Sequence, residues 1–251
     1  MLGAAVSVSL LGCADDGDNK KDDDVSADGD KSSEMSPATS SADDEGKGDG
    51  KDVITIGDSW MSLSATEGIQ NSLEKVSGRD YRNYGVGGTR LLNEVIPMQY
   101  EAAKAENPDI KTVIMTGGGN DILQDIAVHF TCIDSAFDSS DTCKNRIDEV
   151  AARLVKLWDE MAEDGVRDVI IVGYSSKANV IGPLTKTNAY SATKIPPLCD
   201  MVPAPLRCHS LDSDAVDPDL MLRDGIHPDA AGFDVIATAL WKMMQDDGVR
   251  R

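Results

Sequence analysis

From position 53 onward, short apolar runs alternate with longer segments in which apolar residues recur every three or four positions. Val53, Ile54 and Ile56 form the first run, so residues 52–56 read as a short buried strand, with Gly57 opening a turn. Ile69, Leu73 and Val76 follow at helical spacing after Ser64-Ala65-Thr66-Glu67, which has the capping-box pattern, and they predict a helix that stops before Ser77-Gly78. Residues 81–86 read as a second strand ended by Gly87-Gly88, and residues 97–106 as a helix. Residues 111–116 read as a third strand ended by Gly117-Gly118-Gly119-Asn120-Asp121. Val150, Leu154, Leu157, Trp158 and Met161 mark one face of a long helix over 147–162, closed by Gly165. The aliphatic run 169–172 suits a strand covered on both faces. Residues 175–205, rich in Pro, Ser and Thr, read as a long loop, and 206–211 as a short fifth strand. Pro228 then starts a final helix through Phe233, Ile236, Ala237, Leu240 and Met244. This alternation predicts a three-layer α/β/α sandwich around a mostly parallel five-stranded sheet.

The first 52 residues obey no such pattern. Residues 1–12 form an apolar run ending in Leu10-Leu11-Gly12 before Cys13. The run is shorter than the roughly 20 residues that span a bilayer, and it matches the apolar region of a secretory signal. Residues 14–52 hold fourteen Asp or Glu against five Lys, a net of −9 out of −20 for the whole chain, and no aromatic residue. Such a segment cannot bury enough apolar surface to offset its ordering entropy, and its like charges extend it. The expected organisation is a signal segment over 1–13, an acidic tether over 14–52 and one domain over 53–251. Leu10-Leu11-Gly12-Cys13 resembles the lipobox of bacterial lipoproteins. The resemblance implies lipidation at Cys13 and membrane attachment through that anchor alone, on the periplasmic or cell-surface side; the alternative is a secreted protein. A pI near 4.3 and the lack of clustered Lys and Arg argue against nucleic-acid binding.

In a chain read as exported, Cys132, Cys143, Cys199 and Cys208 fall in two close pairs. Bridges Cys132–Cys143 and Cys199–Cys208 are favoured over the other connectivities. A zinc site is disfavoured, because neither Cys-x-x-Cys nor His-x-x-x-His spacing occurs, and no metal is expected.

Candidate chemistry lies at the glycine turns. Right-handed crossovers would bring the C-terminal ends of parallel strands to one rim, so Ser59, Gly88 and Asn120 can converge although distant in sequence. Asp224-Gly225-Ile226-His227-Pro228 places a carboxylate and an imidazole three positions apart before the last helix. A serine hydroxyl needs a neighbouring base to attack an ester carbonyl, and an imidazole held by a carboxylate is such a base. Gly117–Gly119 without a following Gly-Lys-Ser/Thr does not suit nucleotide binding. Met61 occupies the position of the second glycine in a Gly-x-Ser-x-Gly elbow, which disfavours the α/β-hydrolase fold. His129 and His209 stand in no such motif and read as structural or surface residues, while Asp58 and Asp121 read as turn-ordering carboxylates.

Gly57-Asp58-Ser59, Asn83-Tyr84-Gly85-Val86-Gly87-Gly88, Gly118-Gly119-Asn120-Asp121 and Asp224-Gly225-Ile226-His227 resemble, in order and spacing, the four blocks of the SGNH (GDSL-type) hydrolases. The resemblance covers 53–244 and implies a flavodoxin-like sandwich and a cofactor-independent ester hydrolase: a carboxylesterase, acetylesterase or lipase-like enzyme. It assigns Ser59 as nucleophile, His227 as base and Asp224 as its orienting carboxylate. It assigns the oxyanion hole to Ser59 N–H, the Asn120 amide and Gly88, five residues after Asn83, with Gly87 adjacent. Trp60 departs from the leucine of the family name and would alter the pocket wall. Aromatics at 4% and the absence of a long apolar lid favour short-acyl or acetylated-carbohydrate substrates, acted on by a monomer without cofactor. The alternative is a catalytically inactive surface lipoprotein that binds cell-wall or extracellular glycan.

Overall fold

The computed structural model describes residues 50–175, 183–213 and 216–251. The expected signal segment, Cys13 and the tether up to residue 49 lie outside the described residues. Gly50 to Asp52, the end of the expected tether, belong to the folded part: Val53 N–H donates to the Gly50 carbonyl, and Arg250 Nε lies 2.8 Å from Asp52 Oδ2.

Among the described residues a five-stranded sheet runs in the order β2-β1-β3-β4-β5, every neighbouring pair parallel. The strands are β1 (Val53–Ile56), β2 (Arg82–Asn83), β3 (Thr112–Met115), β4 (Asp168–Val172) and β5 (Arg207–Leu211). The α/β sandwich expected from the sequence is the fold observed.

The two-residue period of a strand explains how both faces are covered. Ile54, Ile56, Val113, Met115, Val169 and Ile171 point to one face, against α2 (Val95–Glu106) and α5 (Thr142–Glu163). Val53, Ile114, Ile170 and Val172 point to the other, against α1 (Ile69–Ser77) and α7 (Ala230–Asp246). Fully covered central strands account for the aliphatic runs read in the sequence. Strand β2 is shorter than expected. Beyond Asn83 the chain still follows the edge of β1, with Tyr84 N–H on the Thr55 carbonyl and Val86 N–H on that of Gly57, but without regular pairing.

Other expectations are corrected. The Ser64–Glu67 capping box does not form: Gly68 is the N-cap of α1 without a side-chain bond, and Ser64 N–H donates instead to the Glu67 carbonyl. Helices α3 (Gly119–Leu123) and α4 (Ile126–Cys132) lie between β3 and α5. The segment expected as a long loop contains α6 (Thr185–Lys194) and a 3₁₀ segment, Pro196–Met201. Helix α6 buries Thr187 and no large apolar side chain, so it carries no apolar period to be read.

The disulfides are Cys132–Cys143, joining α4 to α5, and Cys199–Cys208, joining the 3₁₀ segment to β5. Both pairings agree with the sequence reading.

Asp168 opens β4 at the sheet's N-terminal edge and is buried. Its Oδ1 accepts from Arg207 Nε at 2.7 Å and lies 3.3 Å from His209 Nε2; His209 Nδ1 lies 3.0 Å from Asp247 Oδ2. His209 is thus a structural histidine tying β5 to the end of α7. Burial pushes the Asp168 carboxyl up, but the bonds from His209 and Arg207 outweigh it and hold it below the usual range. Because the folded group titrates below the unfolded value of about 3.9, its contribution is complete above that pH and is lost as acid protonates the folded carboxylate. Asp168→Asn is therefore expected to lower stability at neutral pH by about 1.5–3 kcal/mol in urea titrations, with the gap closing at low pH; a gap that persists unchanged down to about pH 2 contradicts this. Reducing the disulfides is expected to cost about 2–4 kcal/mol for each bridge. Unchanged melting of protein shown to carry free thiols would remove that contribution.

Candidate active site

The order β2-β1-β3 reverses the direction of chain progression at β1, and parallel strands open a crevice at such a reversal, beyond their C-terminal ends. Ser59 follows β1, and Gly117 to Asn120 follow β3, at this crevice.

Gly57 leaves β1 with φ 137°. The Gln99 side chain clamps it, accepting from Gly57 N–H at 2.6 Å and donating to the Gly57 carbonyl at 3.0 Å. Asp58 is buried and orders the turn through Oδ1, which accepts from Trp60 N–H and from the Thr116 hydroxyl. Its Oδ2 accepts a short hydrogen bond from the Tyr174 hydroxyl. Burial pushes the Asp58 carboxyl up against the opposing pull of these bonds, and burial beside Asp58 pushes the Tyr174 hydroxyl up as well. Tyr174 meets Trp60 edge-on, with centroids 5.2 Å apart.

Ser59 Oγ projects from this turn and lies 2.8 Å from His227 Nε2. His227 Nδ1 lies 2.7 Å from Asp224 Oδ2, while Asp224 Oδ1 accepts from the backbone N–H groups of Ile226 and His227. Burial raises the Asp224 carboxyl, but the bonds from His227 and these two N–H groups hold it below the ordinary range. The loop is fastened twice. Leu222 N–H donates to the His227 carbonyl, and Trp60 Nε1 donates to the Ile226 carbonyl at 3.2 Å. In a neutral imidazole, Nδ1–H donates to the carboxylate and Nε2 is left to accept the serine proton.

Asn120 stands in the first turn of α3, and its amide donates to the Thr89 carbonyl at 3.0 Å. Asp121 beside it accepts from Leu91 and Leu92 N–H, a turn-ordering carboxylate like Asp58. Gly87 packs over Ser59: a Cβ there would lie 3.7 Å from that of Ser59. Gly88 has φ 78°, and its carbonyl accepts from Gln124 Nε2. The structure therefore gathers Ser59, Gly87, Gly88, Asn120, Asp224 and His227 on one rim.

Ser59, Asn120, Leu123 and Ile226 border two cavities. One, of about 400 Å³, extends beneath α6. The other, of about 600 Å³, is walled by Gly87, Gly88, Phe130 and His227. His129, on α4, is buried in the wall of the second cavity, and its Nε2 has no hydrogen-bond partner among the described residues. The supporting residues Gln99, Thr116 and Tyr174 are absent from the sequence reading. Gln99 and Thr116 are buried and Tyr174 partly buried; each faces the rim from a different part of the chain, and no local pattern marks it. Among the described residues no group of three or more His, Cys, Asp or Glu is placed to hold a metal ion.

No family model and no curated protein matches the chain. Solved structures share its fold. The lipase Lip_vut3 from a goat rumen metagenome aligns with a TM-score of 0.57 at 14% identity, over 79% of this chain and 98% of that one. The acetyl xylan esterase AlAXEase aligns with a TM-score of 0.55 at 16% identity, over 76% and 98%. A member of the lipolytic protein G-D-S-L family from Veillonella parvula aligns with a TM-score of 0.53 at 16% identity, over 77% and 97%. At these identities the likeness is one of fold.

A Cβ at Gly57 would stand 2.2 Å from Thr116 Oγ1 and 2.7 Å from the Thr116 carbonyl oxygen, in a left-handed backbone conformation. Gly57→Ala is expected to destabilise the protein by about 3–5 kcal/mol, and Gly87→Ala by less than about 1 kcal/mol. Equal denaturation midpoints for the two variants would contradict this packing of the Ser59 turn.

Proposed function

We propose that the protein is a serine ester hydrolase that works through an acyl-enzyme, with Ser59 as nucleophile, His227 as general base and then acid, and Asp224 as the carboxylate that orients and stabilises the imidazolium. The observation that carries this reading is the unbroken contact from Ser59 Oγ to His227 Nε2 and from His227 Nδ1 to Asp224 Oδ2. As Ser59 Oγ bonds to the ester carbonyl carbon, its proton passes to Nε2. Collapse of the tetrahedral intermediate breaks the carbon–oxygen bond to the alcohol, which leaves with that proton. Water then repeats the sequence on the acyl-serine, releasing the acid and restoring the hydroxyl.

The oxyanion is assigned to Ser59 N–H, Gly88 N–H and the Asn120 amide, each such donor being worth about 2.7–4 kcal/mol in the transition state. Support comes from their common rim and from the place of Gly88 five residues after Asn83. The fold shared with a lipase and an acetyl xylan esterase suits carboxylic ester substrates. The Leu10-Leu11-Gly12-Cys13 run supports lipidation at Cys13, which would hold the enzyme at a membrane surface through the acidic segment.

Ser59→Ala and His227→Ala are each expected to lower kcat on p-nitrophenyl acetate by about 10⁴-fold or more, and the double variant no further, because the two residues act as one unit. Full activity in Ser59→Ala, or additive losses in the double variant, would overturn the assignment. A folded wild type inactive on every ester would favour the binding-protein alternative.

A further inference from the structure

Which side of the nucleophile takes which half of an ester follows from proton transfer. The imidazolium must hand its proton to the leaving oxygen, so the alcohol lies on the side that carries His227. His227 walls the second cavity, with Gly87 and Gly88, and not the cavity beneath α6. If Ser59 and His227 act as proposed above, the acyl group is left to the cavity beneath α6.

That cavity is lined by Ser59 and Asn120 and by the aliphatic side chains of Leu123, Ile147, Val150, Leu184 and Ile195. Two of the polar side chains along it are already engaged: the Thr187 hydroxyl donates to the Cys132 carbonyl and the Asn188 amide to that of Ser175. Its volume of about 400 Å³ lies within the range of small-molecule sites and far exceeds what an acetyl group fills. The roof is fixed at both ends. Thr187 joins α6 to the Cys132–Cys143 bridge, and Cys199–Cys208 holds the segment after α6 to β5. Lys186 N–H donates to Asp134 Oδ1, and Lys194 pairs with Asp148 at 3.1 Å. A roof so held is preorganised, which lowers the ordering entropy lost when a ligand enters.

We propose that this disulfide-framed cavity binds a linear aliphatic acyl chain well beyond acetyl, making the protein a medium-chain acyl ester hydrolase. This departs from the short-acyl preference expected from the sequence. That expectation rested on low aromatic content and the lack of a long apolar lid, whereas Leu123, Ile147, Val150, Leu184 and Ile195 give the cavity an aliphatic wall beside the small and polar side chains of α6.

The test is kcat/KM on p-nitrophenyl acetate, butyrate and octanoate, which keeps the alcohol constant. Wild type is compared with Ala192→Trp, which fills the cavity from an exposed position on α6, and with Ala189→Trp as a second filling variant. Wild type should prefer octanoate to acetate by about tenfold or more, and a folded filling variant should lower that octanoate-to-acetate ratio by about tenfold or more. A wild-type optimum at acetate, or a ratio untouched by both folded variants, overturns the proposal while Ser59-dependent turnover leaves the hydrolase reading standing. Calorimetric binding of the octanoate ion to Ser59→Ala protein tests the cavity without turnover. Binding that Ala192→Trp removes supports the assignment, and no binding, or binding indifferent to that change, contradicts it.

Discussion

The rim depends on the pairing of β1 between β2 and β3. That register sets Ile56 opposite Met115, so the chain leaves both strands at the same height and Gly57 lies against Thr116 with no room for a Cβ between them. A side chain at Gly57 would hold the two turns apart. Asp58 and Thr116 then exchange hydrogen bonds across the gap, and the turn that carries Ser59 is locked to the turn that carries Asn120. A one-residue slip of β1 would reverse its faces, moving Ile54 and Ile56 off the α2 and α5 side and breaking these contacts together. Core packing and site geometry are therefore one constraint here.

Burying Asp58 is costly, and its environment compensates with three donors: Trp60 N–H, Thr116 and Tyr174. The same group reaches the second half of the site, because Trp60, held edge-on by Tyr174, donates to the carbonyl preceding His227. Serine turn and histidine loop, far apart in sequence, are thus joined by backbone and indole bonds as well as by the Ser59–His227 contact. Such support keeps a proton acceptor within hydrogen-bond reach of the hydroxyl without a ligand present.

Much of this was legible in the sequence wherever one residue type answers to one physical demand. The aliphatic runs at β1, β3 and β4 required a doubly covered parallel sheet, and the glycine turns required a crowded rim. The Asp224–His227 spacing fits a loop in which one carboxylate accepts two backbone N–H groups and still reaches the imidazole. Legibility ended where tertiary contacts decide. Helix α6 buries only Thr187 and meets the cavity through small and polar side chains, so it carries no apolar stripe to be read. Ser64 and Glu67 form a turn ahead of α1, which begins only after Gly68, whose φ of 149° is not helical and where a Cβ would stand 2.4 Å from the Met61 carbonyl oxygen. Tyr174 and Gln99 are single polar residues whose roles exist only once the strands are paired.

The central claim is that Ser59 is a nucleophile activated by His227. It is tested most directly by exposing the folded protein to a fluorophosphonate and locating the adduct by peptide mass spectrometry. A single adduct on Ser59, lost in His227→Ala under the same exposure, is the expected result. An adduct on another residue, or labelling of Ser59 that is indifferent to the loss of His227, would contradict the account.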